Sequence, residues 1–231
     1  MRVVEKSTKV VFEVEDREDF FLSINGIREF QKNEVTPLIE NITSLDEYQK
    51  LAARTLPNLV EFYGDNLVTI EINIKLNCNN IHAFYGIDTE FGEILDLYKK
   101  SFAYRKVFDR INLIEEICDI VWYCAASATI NNESIEEIID LGNIGFKGWA
   151  VPVENYPTLQ NMADAYDIIH GYRISQINIE DVIGVFISSE EELFRGLTNN
   201  INKLICRYPD KFSNENALNR DLDSERKQLE Q

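Results

Sequence analysis

The chain has little of what marks several large protein classes. Five prolines and ten glycines in 231 residues exclude collagen-like and low-complexity organisation. No stretch approaches the roughly eighteen consecutive apolar residues of a membrane-spanning helix, so no membrane association is expected. The opening segment, MRVVEKSTKVVFEVED, carries charges where a secretory signal has an apolar core, and a cytoplasmic protein is expected. The four cysteines, Cys78, Cys118, Cys124 and Cys206, form no Cys-x-x-Cys pair. Three of them lie in apolar helical stretches, where a free thiol packs as a small hydrophobe. Cations are scarce too: the formal charge is −17 and no Lys/Arg-rich run builds a basic face, which argues against nucleic acid as a partner.

What is present is a globular composition, 45% hydrophobic and 11% aromatic, in a chain long enough to bury a sizeable core. Residues 1–43 read as an N-terminal extension, with a strand-like alternation at Val10, Phe12 and Val14 and a break at Pro37. At Ser44 the pattern changes. Ser44 and Glu47 form a capping box, and Leu45, Tyr48, Leu51, Ala52 and Leu56 recur at helical spacing up to Pro57. Helical spacing returns from about Asn66 to Phe102, interrupted near Asn77 to Asn80, and is cleaner from Ile81 to Lys100. A third helix is predicted from Asp109, as N-cap, to Ile130, with Asn131 and Asn132 ending it.

Ser134 and Glu137 suggest a short helix. Residues 141–187 show no clean period and read as an inserted segment, although the apolar run Val182 to Ile187 is expected to be buried. Ser189 and Glu192 open a further helix through Leu193, Leu197, Ile201 and Leu204 that Pro209 stops, and Ser213 caps a last charged helix. The fold class expected is all-α.

The chemistry is concentrated in two acidic pairs of equal spacing, Glu90 with Glu93 in TEFGE and Glu116 with Asp119 in EEICD. Residues three apart on a helix share a face, so two such helices side by side would assemble four carboxylates. Asp119 is the stronger clue, because no other charge occurs between residues 117 and 130 and a helix apolar all round is a buried helix. A buried carboxylate needs a cation or a metal. The plainer alternatives stay open: Glu90 and Glu93 on a solvated face, and Asp119 paired with an arginine from elsewhere. Hard oxygen donors without nearby His or Cys suit magnesium or manganese better than zinc. A carboxylate-bridged iron site would need a Glu-x-x-His on each of two helices, and the chain has two histidines. His170, followed by Gly171, reads as a helix-end residue; His82 is either a contact behind the acidic helices or structural.

The stretches YGIDTEFGEILDLYKK and LIEEICDIVWYCAASA, followed far downstream by NNINKLICRYPDKFS and NRDLDSER, resemble the MazG-like nucleoside triphosphate pyrophosphohydrolases. The resemblance covers roughly residues 44–130 and 189–226. It implies a helical bundle over 44–226, with 141–187 inserted before the last core helices, completed by association of two or four identical subunits. It further implies magnesium held by Glu90, Glu93, Glu116 and Asp119, with phosphates met by Lys100, Lys203 and Arg207. The activity implied is cleavage of a (deoxy)nucleoside triphosphate to the monophosphate and pyrophosphate, serving nucleotide-pool sanitation, with Glu93 or Glu115 taking the proton from water. Tyr48, Gln49 and Trp122 are the candidates for recognising the base, though Trp122 equally suits the core. The alternative is an interaction protein that keeps the bundle without useful activity.

Overall fold

The structure, a computed structural model, describes residues 1–16, 20–23, 28–60, 68–69, 75–76, 78–173 and 177–230. They fall into two compact units, one formed by Met1–Pro57 with Leu197–Gln231 and the other by Asn58–Gly196.

The first unit contains a five-stranded antiparallel sheet of β1 (Arg2–Glu5), β2 (Val11–Asp16), β3 (Phe20–Ser23), β4 (Glu29–Gln31) and β5 (Val35–Pro37), in the order β4-β3-β2-β1-β5. The alternation at Phe12 and Val14 is that of β2. Val14 joins Val3, Phe21, Phe30 and Val35 in a buried cluster against which Phe12 packs, while Val10, at the end of the hairpin, is exposed. The chain is mostly helical, as expected, but the all-α expectation does not extend to residues 2–37, where short β-branched and aromatic runs pair as strands.

After the sheet come α1 (Leu45–Ala52) and a 3₁₀ turn at Ala53–Thr55. Ser44 Oγ accepts from the Glu47 amide at 3.1 Å, and the Glu47 carboxylate accepts from the Thr43 amide at 3.0 Å, so the capping box forms with a one-residue shift at its return bond. Helix α6 (Glu190–Arg207) contains the division between the units, and its second half explains the asparagines in LTNNINKL. Asn202 accepts from the Ile39 amide at 2.7 Å and donates to the Ile39 carbonyl at 2.8 Å, and Thr198 accepts from the Ile42 amide at 2.9 Å. Asn200 accepts from the Tyr48 hydroxyl at 2.8 Å. All three are buried: Asn202 and Thr198 satisfy backbone that has no strand partner, and Asn200 satisfies a buried hydroxyl.

The single charged helix expected after Ser213 is two short ones, α7 (Asn214–Leu218) and α8 (Leu222–Leu229), each with its own N-cap, Ser213 and Asp221. Glu225 on α8 is buried and receives Arg207 at 2.9 and 2.5 Å and Arg220 at 2.7 Å.

In the second unit, Val68–Thr69 (β6) and Lys75–Leu76 (β7) pair as an antiparallel ladder, so the helix expected from Asn66 does not form at these positions; residues 66, 67, 70–74 and 77 lie outside the described residues. Helix α2 (Cys78–Tyr104) and helix α3 (Arg110–Asn131) follow. Asp109 caps α3 by accepting from the Asn112 amide at 3.1 Å, and Asn132, at φ 59°, ends it in the left-handed conformation that asparagine tolerates. Ser134 caps a 3₁₀ turn at Ile135–Glu137. The aperiodic segment contains α4 (Leu159–Arg173) and α5 (Ile179–Phe186), and Val182 to Ile187 is buried as expected.

His170 lies in the last turn of its helix, as expected, but Gly171 does not cap the end. Helix α4 continues past Gly171 to Arg173, and the His170 ring lies exposed and stacked on Tyr166, with centroids 5.7 Å apart. Gly171 serves close packing instead, since a Cβ there would stand 2.4 Å from the Ile177 side chain. Among the described residues no helix is long and apolar enough to cross a membrane.

Burial pushes the Glu225 carboxyl upward, but the hydrogen bonds and charges of Arg207 and Arg220 outweigh it and hold the group below its ordinary value of 4.5. A carboxyl lowered by folding stabilises the protein above its ordinary value, and that contribution disappears as pH falls through the lowered one. Glu225→Gln should therefore destabilise the chain by roughly 3 kcal/mol at pH 7, the lower range for breaking a buried pair. The deficit should shrink in acid below pH 4.5, as followed by denaturant unfolding.

Candidate metal centre

The site is set by how α2 lies on α3. Asn80 donates to Asn131 at 3.3 Å, which brings the start of α2 to the end of α3 and makes the pair antiparallel. One and a half turns further along α2, Gly86 takes the ring of Tyr123: a Cβ at Gly86 would stand 2.1 Å from that ring. The next turn of α2 brings Glu90 opposite the turn of α3 that carries Glu116 and Asp119.

Glu90, Glu116 and Asp119 each place a carboxylate oxygen within 4.8 Å of the other two. Glu116 is buried, and Glu90 and Asp119 are half-buried. The Asn112 amide donates to Glu116 Oε1 at 2.6 Å, holding that carboxylate from one turn earlier. Three carboxylates at this separation repel one another, and a divalent cation is the species that reverses the sign of that interaction. An all-oxygen donor set of this kind fits magnesium or manganese.

Glu93, grouped with these residues by its spacing, is exposed and is not a member of the cluster. Its angle on α2 is 60° away from that of Glu90 for a 3.6-residue repeat, enough to turn it from the α3 face toward solvent. Glu115 is half-buried and also outside the cluster.

Lys100 stands near the site. A hydrogen bond to Asp96 at 2.5 Å raises its basicity first, and the charges of Glu93 and Glu116 contribute to the same direction. Lys99 pairs with the same Asp96. Trp122 is buried, as its packing alternative anticipates, with its ring edge-on to Tyr123 at 5.0 Å and to His82 at 6.4 Å. Burial lowers the basicity of His82, so the imidazole between these rings is neutral at pH 7. Spacing alone did not single out Tyr123 or Asn112, although Asn112 precedes Glu116 by one helical turn, a readable signal.

The remaining predicted residues belong to the first unit. Tyr48 is buried and bonded to Asn200, and Gln49 is half-buried. Lys203 is 1% exposed, and Arg207 is engaged by Glu225. Tyr48 and Arg207 thus hold these partners within that unit.

Helix α3 is backed on another side by the start of α6. A Cβ at Gly196 would stand 2.7 Å from Ile114 and 2.9 Å from the Cys118 sulfur, and Arg110 at the start of α3 donates to Glu192 at 2.6 and 2.8 Å. Phe91, Ile94 and Tyr98 of α2 are buried, and the Tyr98 hydroxyl donates to the Ala150 carbonyl at 2.9 Å. The acidic turns are thus mounted on helices whose facing apolar residues are buried.

Comparison with protein families finds none that matches the chain, and comparisons with curated proteins and with solved structures find no match either.

Gly86→Ala tests the register. The added methyl group displaces Tyr123 and separates the helices beside the carboxylates, and a destabilisation of about 1–3 kcal/mol is expected, as for overpacking elsewhere. A variant as stable as the wild type in thermal unfolding would show that the contact does not set the spacing of α2 and α3.

Proposed function

We propose that the chain is a magnesium-dependent nucleoside triphosphate pyrophosphohydrolase of the MazG-like kind. One observation carries the proposal: Glu90, Glu116 and Asp119, drawn from the two acidic motifs, converge within 4.8 Å of one another. Had the two pairs been unrelated features of a Glu-rich chain, nothing would require them to face each other across a helix pair.

In this reading Glu90, Glu116 and Asp119 hold the metal. A bound magnesium ion supplies charge neutralisation of the triphosphate oxygens and acidification of water. The protein's own part is positioning. The packed α2–α3 pair fixes the carboxylates, Asn112 orients Glu116, and Lys100 offers a cation on the same side of α2, balanced between Asp96 and the acidic site. Glu93, exposed next to the cluster, and Glu115 are the groups available to accept a proton from water. Trp122, Tyr123 and His82 form an aromatic group about one turn from Asp119, suited to the apolar body of a substrate.

Pyrophosphate release from a panel of ribo- and deoxyribonucleoside triphosphates tests this. Release should require magnesium and fall by at least about a hundredfold in Glu116→Gln and in Asp119→Asn, the scale of removing a group that stabilises transition-state charge. Folded variants and wild type alike giving no release from any substrate would contradict the enzyme and favour an interaction protein built on the same helices.

A further inference from the structure

One end of the second unit gathers cations and exposed apolar side chains that its packing does not use. From Leu97 to Phe108 the sequence has four basic residues and no acid, in a chain of 40 acidic and 23 basic residues. The stretch covers the last turns of α2 and the turn into α3, and the six successive residues 102–107 are exposed. It is too short to build a basic face by itself, but a second segment with its own lysine, Lys147, abuts it. The Phe108 amide donates to the Asn155 carbonyl at 2.8 Å, and the Tyr98 hydroxyl donates to the Ala150 carbonyl at 2.9 Å. The Arg105 guanidinium lies over the Tyr156 ring, 4.9 Å from its centroid. Arg105 takes that position from the left-handed region, at φ 57°, a conformation that a non-glycine residue holds at some cost.

The base of this surface is fixed and its top is bare. Tyr98, Phe108, Ala150 and Val151 are buried. Beside them Val153 is fully exposed, Tyr104, Val107 and Leu159 are 65%, 60% and 72% exposed, and Trp149 is about half exposed. A single exposed apolar residue is ordinary, but five at one end of a unit make a patch of the kind that meets a partner. Their exposure also describes its shape. A residue at the floor of a groove is shielded by the walls, whereas these stand on loops and at a helix start, so the surface is convex. Lys99, Arg105, Lys106 and Lys147 share this end and are exposed, with Glu154 as an acid among them.

A peptide or a nucleic-acid strand is held by a groove, whereas a bilayer offers a broad, yielding face with anionic headgroups above an apolar interior. Trp and Tyr suit the headgroup level, Val and Leu reach the acyl boundary, and long cationic side chains stretch to the phosphates. The geometry points to a peripheral contact between this end of the second unit and the surface of a bilayer containing anionic phospholipid. The expectation of no membrane association rests on the lack of a spanning helix, and a surface contact needs none. The net charge of −17 opposes approach only over the screening distance, about 8 Å at physiological salt, so it favours docking by this basic end. The contact does not depend on whether the carboxylates bind a metal.

Co-sedimentation of the full chain with vesicles tests it. Vesicles of equal parts phosphatidylcholine and phosphatidylglycerol should bind the chain at about 0.1 M salt, and at least tenfold less at about 1 M, where screening is short. Vesicles of phosphatidylcholine alone should bind it at least tenfold less as well. Trp149 emission should shift to the blue on binding, since Trp122, the other tryptophan, is buried already. Arg105→Glu combined with Lys106→Glu should weaken binding at least tenfold, and so should Val153→Asp, which leaves every cation in place. Val10→Asp, at an exposed apolar residue of the first unit, should bind as wild type does. All these positions are exposed, so the variants should keep the circular dichroism of the folded chain. No binding to anionic vesicles, or binding indifferent to either patch variant, would overturn the proposal. Capture of polyglutamate or of a single-stranded oligonucleotide in place of vesicles would give the surface to a macromolecular polyanion and overturn the lipid contact.

Discussion

The contact between Gly86 and Tyr123 governs much of the second unit. An aromatic ring seated on a glycine sets both the separation of α2 and α3 and their register, and the register decides which turn of α2 faces Glu116 and Asp119. Three carboxylates then meet where an arbitrary register would disperse them. Like charges gathered this closely, with a carboxylate oxygen of each within 4.8 Å of the other two, oppose one another. The apolar packing of Phe91, Ile94, Leu113, Ile117 and Ile120, all fully buried, holds the helices together against this opposition. A divalent cation held by the three would reduce that opposition, and the cluster is of a kind that could hold one.

The rest of the second unit serves the same pair. Gly196 lets α6 approach α3, Arg110 ties the start of α3 to Glu192, and Tyr98 ties α2 to Ala150. The first unit relies on different physics. Its helical residues Thr198, Asn200 and Asn202 replace a missing strand partner for the chain at 39–42 and cap the Tyr48 hydroxyl, and Glu225 gathers two arginines around one buried carboxylate. These are satisfied polar interiors, and they account structurally for Arg207, a side chain whose charge alone suggests a phosphate contact.

Much of this was legible in the residues because it is local. Ser44, Asp109, Ser134, Ser189 and Ser213 cap elements where the capping rules place them, and Asn132 ends α3 through its own backbone tolerance. Glu90, Glu116 and Asp119 were readable as a cluster because helical periodicity carries one turn to the next. What was not legible depends on partners distant in sequence. Of the sheet in residues 2–37 only the alternation in β2 was readable, the other strands having three or four residues, too few to show a period, and Gly171 looked like a helix end because the side chain that needs its empty space, Ile177, belongs to the next segment. Glu93 shows the limit of spacing: a position three residues on shares a face only within about 60°, enough here to separate an exposed carboxylate from a half-buried one. Asn200 and Asn202 were ordinary polar helix positions until the Tyr48 hydroxyl and the backbone of Ile39 supplied their roles.

The most direct test of the central claim is manganese binding to the intact chain, measured by electron paramagnetic resonance titration of free ion, because it reads the site without assuming a substrate. Wild type should take up manganese in competition with magnesium. Glu90→Gln, Glu116→Gln and Asp119→Asn should each weaken uptake at least tenfold, and Glu93→Gln should weaken it less than any of the three. Equal binding by wild type and all three variants, or no binding by a folded wild type, would contradict a metal centre at the junction of α2 and α3.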